Sequence, residues 1–199
     1  ENNQEIFSLD ELVKEFNYKN ISKSPAVFDM VKLKWMNGEY IKAMDFDKFY
    51  EMAEPYIKKV ITKDLDLKKI AAMVKTRIEI FPDIEGHIDF FETLPEYDPQ
   101  MYVHKKMKTN HQVALEALEM VQPVLAGIAT WQESVIHDTV MAAIAASGKK
   151  NGAVLWPLRI ALSGLASTPG GAFEIAYLLG RDETLARVQK AIEKLRANA

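Results

Sequence analysis

The stretch LWPLRIALSGLASTPGGAFEIAYLLG, from Leu155 to Gly180, places a single Arg159 among apolar residues just past Pro157. A proline is best tolerated at the first position of a helix, where its missing N–H would be unpaired anyway, so a helix is predicted to begin near Trp156. Arg159 then falls in the first turn, where the positive end of the helix dipole opposes a guanidinium by up to about 1 kcal/mol. An anionic partner is therefore expected, either a ligand or Glu174 in a structural ion pair. Ser163-Gly164 ends this helix. Thr168-Pro169-Gly170-Gly171 follows as a corner whose glycines permit positive φ and close backbone approach. A second helix starts there, and its N–H groups suit an anion or a polar ligand.

Other basic residues form small groups: His104-Lys105-Lys106-Met107-Lys108, Lys149-Lys150, and Lys75 with Arg77. Each alone is an ordinary solvated face. Together with Arg159, Trp156 and the Thr168 corner, they make a candidate track for a phosphate backbone with one or two unstacked bases at its end. Catalytic patterns are missing. His87, His104, His111 and His137 lack the i, i+4 spacing of a helical zinc site and read as exposed or capping residues. No G-x-S-x-G elbow, Walker phosphate loop or G-x-G-x-x-G turn occurs. Glu92, Glu96 and Asp98 fall in a linker-like stretch where nothing would raise a carboxyl pKa for acid/base work.

With 199 residues, 48% hydrophobic and 27% charged, the chain is long enough for one elongated domain or two small ones. Zero cysteines exclude disulfides and thiolate metal sites and suit a reducing cytoplasm. No apolar run near 20 residues and no signal-peptide pattern is present, so a cytoplasmic location is expected. A net charge of −3 argues against bulk electrostatic attraction to nucleic acid and leaves room for a local basic stripe. Glu1 stands where an initiator methionine would, which suggests a piece of a longer polypeptide.

The helical period dominates, and no strand is predicted. Ser8 and Glu11 form a capping box before a helix whose Leu9, Leu12, Val13 and Phe16 share one face. Ser24-Pro25 marks a turn, and Asp29 caps MVKLKWMNGEYIKAM. Asp47 is expected to cap a helix with the stripe Phe49, Met52, Ala53, Tyr56, Ile57 and Val60, kinked at Pro55. Asp66 opens LKKIAAMVKTRIEI, with Ile70, Val74 and Ile78 facing inward. A shorter helix carries Ile84, Ile88 and Phe91. ETLPEYDPQMY, with two prolines, reads as the linker. After it, Thr109 or Asn110 caps a helix with Val113, Leu118 and Val121, and Thr130 with Glu133 forms a second capping box before SVIHDTVMAAIAASG. Leu185, Val188, Ile192 and Leu195 line the last helix.

From FSLDELVKEFN through ISKSPAVFDMVKLKWMNGEYI to VLWPLRIALSGLASTPGGAFEIAYLLGRDETLARV, the chain resembles the C-terminal half of bacterial glutamyl-tRNA synthetases. Its most specific elements are S-P-A-V-F-D followed by K-L and W-M-N, and P-L-R-I-A-L-S-G followed by T-P-G. The resemblance implies an all-α fold of two consecutive helical subdomains in an elongated anticodon-binding array. Residues 1–44 would end a stem-contact connecting region, residues 45–98 would form the first anticodon-binding subdomain and residues 99–199 the second. The class I catalytic domain, with its HIGH-like and KMSKS-like motifs, ATP and Mg, would lie upstream, so no cofactor is expected in this chain. Gly86-His87-Ile88 and Lys105-Lys106-Met107-Lys108 only imitate those motifs, because they lack the strand-to-helix phosphate turn.

The resemblance further implies anticodon contacts from Trp156, Arg159, Thr168, Pro169, Gly170, Gly171 and Phe173. Phosphate contacts are expected from Lys105, Lys106, Lys108, Lys149 and Lys150, with Arg77 the candidate reader of the third anticodon base. Trp156 stands where the family carries glutamine, which substitutes stacking for a base-edge hydrogen bond. The corner T-P-G-G-A-F is one residue longer than the family's pattern. The implied partner is the tRNA for glutamate, with the tRNA for glutamine a second candidate; no DNA or membrane is implied, and a monomer is expected. From another class, a helical adaptor that binds a protein partner stays open.

Overall fold

Capping side chains fix where five of the α-helices begin. The computed structural model describes residues 4–21, 24 and 27–197. In α1 (Leu9–Glu15), Glu11 N–H donates to Ser8 Oγ while Ser8 N–H donates to Glu11 Oε2 at 2.7 Å, which is the expected capping box. Asp29 caps α2 (Met30–Ala43) and Asp66 caps α4 (Leu67–Val74). Asn110 caps α6 (His111–Ala126), accepting from Val113 N–H at 2.9 Å. The remaining α-helices are α3 (Phe46–Val60), α5 (Asp83–Glu92), α7 (Glu133–Ser147), α8 (Asn151–Ser163), α9 (Ala172–Leu179) and α10 (Arg181–Arg196). Among the described residues there is no strand, only an isolated antiparallel bridge between His104 and Thr109, and no helix long and apolar enough to cross a membrane. The fold is all-α, as expected.

Three helix boundaries ahead of α8 differ from the sequence reading. Asp45, not Asp47, caps α3, and Asp47 lies in the first turn, where its charge still favours the dipole. The run after Asp66 stops at Val74, because the Asp83 carboxylate accepts from the N–H groups of Glu79 and Ile80 and captures the chain ahead of α5. The Thr130–Glu133 box does not form. Gln132 occupies the cap without a side-chain bond, and Glu133 pairs with Lys69 of α4 instead.

Phe49, Ala53 and Ile57 of α3 are fully buried against Ile70, Val74, Ile84 and Ile88, while Met52, expected on the same stripe, is 43% exposed. Leu118, Val121, Val154, Leu158, Val188 and Ile192 close the core among α6, α8 and α10. The proline-rich stretch between these helix groups is anchored. Lys194 donates to Tyr97 O at 2.9 Å and to Glu96, and Tyr97 shares a hydroxyl hydrogen bond with Tyr102. Gly164 is required twice here: its φ is +67°, and a Cβ would stand 2.9 Å from the Tyr97 ring.

The N-terminal elements keep their apolar faces uncovered. Leu9, Val13, Phe16, Val27, Phe28 and Val31 are each at least 65% exposed, and α1 buries nothing. Pro25 lies outside the described residues, as does Ala26, so the Ser24-Pro25 turn and the full S-P-A-V-F-D segment are not described.

Candidate nucleic-acid interface

The helix that carries Arg159 begins well before Pro157. Helix α8 starts at Asn151, directly after Lys149 and Lys150, and holds Pro157 in its interior. Val154 and Leu158, both fully buried beside the proline, supply packing that offsets the lost backbone hydrogen bond. Arg159 consequently lies past the helix midpoint, and the first-turn dipole penalty does not apply. Its Nη2 donates to Ala166 O at 2.8 Å, and its guanidinium sits 4.9 Å from the centre of the Trp156 ring. Burial pushes its pKa down from the ordinary arginine value. The Arg159–Glu174 ion pair does not form: Glu174 Oε2 accepts from Gly171 N–H at 2.6 Å and caps α9 instead. A half-buried cation therefore ends on a neutral carbonyl and an indole face.

Trp156 is itself fixed. Its Nε1–H donates to Met101 O at 3.0 Å, and its ring lies 4.2 Å from that of His104. The corner is built differently from the expectation. Positive φ among glycines occurs at Gly148, Gly164 and Gly180, whereas Gly171 has φ −82°. Gly170 serves close approach, because a Cβ there would collide with the terminal methyl of Met73 from α4. Thr168 and Pro169 are buried, and Thr168 Oγ donates to Gly170 O at 2.6 Å, so both hold the corner's shape. The Gly171 N–H, expected to await an anion, is already taken by Glu174.

Two clefts meet at the start of α9. The first, about 340 Å³, is lined by Trp156, Arg159, Gly171 and Phe173, with Met107 and Gly152 at one end. The second, about 660 Å³, shares Gly171 and Phe173 and adds Lys69, Glu133, His137 and Tyr177. Lys69 pairs with Glu133, which raises the lysine's pKa, and stands 5.0 Å over the Tyr177 ring. His137 meets Phe173 edge-on at 5.0 Å. Each cleft thus combines an aromatic surface with a cation, the arrangement that stacks and hydrogen-bonds unstacked bases.

Lys105, Lys106 and Lys108 stand exposed on a tight hairpin closed by the His104–Thr109 pair, with Lys108 at φ +57°. The hairpin rests on the first turn of α8, where a Cβ on Gly152 would lie 2.8 Å from Met107 Sδ. Lys149 and Lys150 stand immediately before that turn in the chain. Lys149 is paired with Glu116 at 3.0 Å, whereas Lys150 is exposed at the helix cap. The Lys75–Arg77 group lines neither cleft. Lys75 donates to the carbonyls of Lys42 and Met44 at the end of α2, and Arg77 is exposed. Lys69, Glu133, His137 and Tyr177 escaped the sequence reading, since only the packing of α4, α7 and α9 brings them together.

Comparison with known proteins gives this all-α module a family. The anticodon binding domain family matches residues 48–192, and this chain belongs to it. The chain is 58% identical over 193 residues to a glutamate–tRNA ligase of Lachnoclostridium phytofermentans, covering 97% of this chain and 39% of that protein. A glutamate–tRNA ligase of Clostridium tetani is 54% identical, with 97% and 40% covered. The crystal structure of a glutamate tRNA ligase from Elizabethkingia meningosepticum matches with a TM-score of 0.79 at 28% identity, over 97% of this chain and 38% of that one. The chain thus spans about two fifths of the length of the curated relatives it matches.

Proposed function

We propose that this chain is the anticodon-gripping part of a cytoplasmic glutamate–tRNA ligase, the enzyme that attaches glutamate to its tRNA in an ATP-dependent reaction. Arg159 is the observation that carries the reading. A guanidinium half-buried beside an indole, with its one side-chain hydrogen bond spent on Ala166 O, has donors left to offer a base edge or a phosphate. Trp156 and Phe173 supply stacking surfaces on either side of Gly171, so two splayed anticodon bases have seats in adjoining clefts. Thr168, Pro169 and Gly170 hold the corner that separates them, while Lys105, Lys106, Lys108 and Lys150 meet phosphates. Lys69 joins Arg77 as a candidate base reader, because Lys69 lines the second cleft.

ATP, Mg and glutamate belong to the catalytic part of such an enzyme, and this chain by itself neither activates glutamate nor charges tRNA. The boundaries 1–44, 45–98 and 99–199 divide its labour. The uncovered apolar faces of α1 and α2 fall in the first division, where the chain would meet the rest of the enzyme, and the other two form a monomeric grip on tRNA. Binding of the purified chain to the tRNA for glutamate, measured across a salt series, tests the proposal. Affinity should fall steeply as salt rises. No complex at low salt, or equal affinity for a tRNA of unrelated anticodon, would defeat the reading.

A further inference from the structure

We propose that His104 is the positioning residue of this interface: its imidazole holds the lysine hairpin shut and seats Trp156, joining phosphate contacts and stacking surface into one unit. The inference rests on the reading of the hairpin lysines as phosphate contacts and adds what holds them in place.

Two contacts of one ring carry it. The Met107 N–H, inside the hairpin, donates to His104 Nδ1 at 3.2 Å. The contact uses the lone pair of Nδ1 as acceptor. The same ring packs on Trp156 with centroids 4.2 Å apart at 56°. The indole is also held at its edge by the bond from Nε1–H to Met101 O. His104 therefore touches both the hairpin and the wall of the first cleft.

The hairpin needs such a hold. Lys108 has φ +57°, a region lysine seldom occupies and which persists only where surroundings enforce it. Three like charges on a single turn oppose its closure. Against this stand the paired backbone bonds of His104 and Thr109 at 3.1 and 3.2 Å, a Lys108 N–H to Lys105 O bond at 3.2 Å, and the bond to His104. Only the last comes from a side chain that also packs on Trp156. The closed hairpin sets Met107 against Gly152, where it lines the first cleft, and leaves the flanking Lys105, Lys106 and Lys108 in solvent.

Two measurements on this chain test the assignment: amide hydrogen exchange at Met107 without RNA, and the salt dependence of binding to the tRNA for glutamate. His104→Phe keeps an aromatic ring against Trp156 and removes the acceptor, His104→Asn keeps an acceptor near Nδ1 and removes the ring, and His104→Ala removes both. Exchange at Met107 should quicken about tenfold or more in the Phe and Ala variants and stay slow in the Asn variant. The salt slope should flatten in the same two variants, toward that of a Lys105→Ala, Lys106→Ala, Lys108→Ala triple variant, by up to about 0.7–0.9 for each phosphate no longer neutralised. It should keep its native value with asparagine. Slow exchange in His104→Ala, or failure of asparagine to restore the slope, overturns the role of His104. A triple variant with the native slope would instead refute the phosphate reading, and the inference with it.

Discussion

Arg159 lies with its guanidinium 4.9 Å from the centre of the Trp156 ring and gives its hydrogen bond to the carbonyl of Ala166, so the charge is stacked and directed without meeting a carboxylate. Removing it should separate binding from folding. Arg159→Ala loses one charge-assisted hydrogen bond to a carbonyl and a partly exposed cation–π contact, about 1–3 kcal/mol of stability, and about 1–3 kcal/mol of affinity for the tRNA for glutamate. Arg159→Lys should recover only part of the affinity, since it keeps the charge and loses the planar fork. Thermal unfolding run beside tRNA titration reads both. Native affinity in the folded fraction, with a large fall in melting temperature, would return Arg159 to the scaffold.

Arg187 does for the scaffold what Arg159 does not. Its side chain is 3% exposed, and Nη1 donates to Phe90 O at 2.7 Å and Leu162 O at 2.6 Å while Nε donates to Glu183 at 2.7 Å. Those two carbonyls belong to the last turns of α5 and α8, so one guanidinium caps two helix ends and ties both to α10. Arg187→Met should cost about 3–5 kcal/mol, because buried carbonyls lose their donors. Arg187→Lys, with a single ammonium for two acceptors, should fall between. Urea unfolding decides the matter: a loss under about 1 kcal/mol for Arg187→Met would mean that the two helix ends find other partners.

Periodic features were legible in the sequence because they depend on near neighbours. The α10 stripe of Val188, Ile192 and Leu195, the Ser8–Glu11 box and the glycine stop after α7 all lie within one or two turns. Pro157 misled because a positional preference of proline was set against burial of Val154 and Leu158, and burial prevailed. Gly170 was recognisable as a special position, but its reason, Met73 of another helix, was not. The second cleft was out of reach for the same reason. Nothing local to Lys69 in LKKIAAM signals that Glu133 and Tyr177 will surround it.

Acid should weaken the fold through carboxylates that bind partners. Glu92 accepts from the Thr62 hydroxyl at 2.6 Å and its N–H at 3.0 Å, and these bonds hold its pKa below 4.5. Lys194, then Lys190, lower that of Glu96. A depressed folded value means that the unfolded chain binds the proton more readily. The stabilisation is therefore present above about pH 4.5 and disappears as pH falls through the lower folded values. Denaturant midpoints should hold between pH 7 and 5 and decline below pH 4.5. Replacing both residues with glutamine should make that decline shallower, and a decline of unchanged steepness would show that other groups govern it.

Lys69 offers the sharpest distinction between reading a base and attracting a backbone. Its pair with Glu133 is about one-third exposed on each side, so breaking it should cost no more than about 1 kcal/mol of stability. Lys69→Met keeps most of the apolar stem over Tyr177 and removes the donor. If the second cleft seats a base, affinity should drop by about 1–3 kcal/mol for the tRNA for glutamate and much less for tRNAs altered at the base seated there. A phosphate contact would instead weaken every tRNA alike and reduce the salt slope by about 0.7–0.9. Titrating Lys69→Met with the tRNA for glutamate and with transcripts changed singly at each anticodon position separates the two. Uniform loss across that set would leave the Trp156 cleft as the sole reading site and make Lys69 one more contact along the backbone.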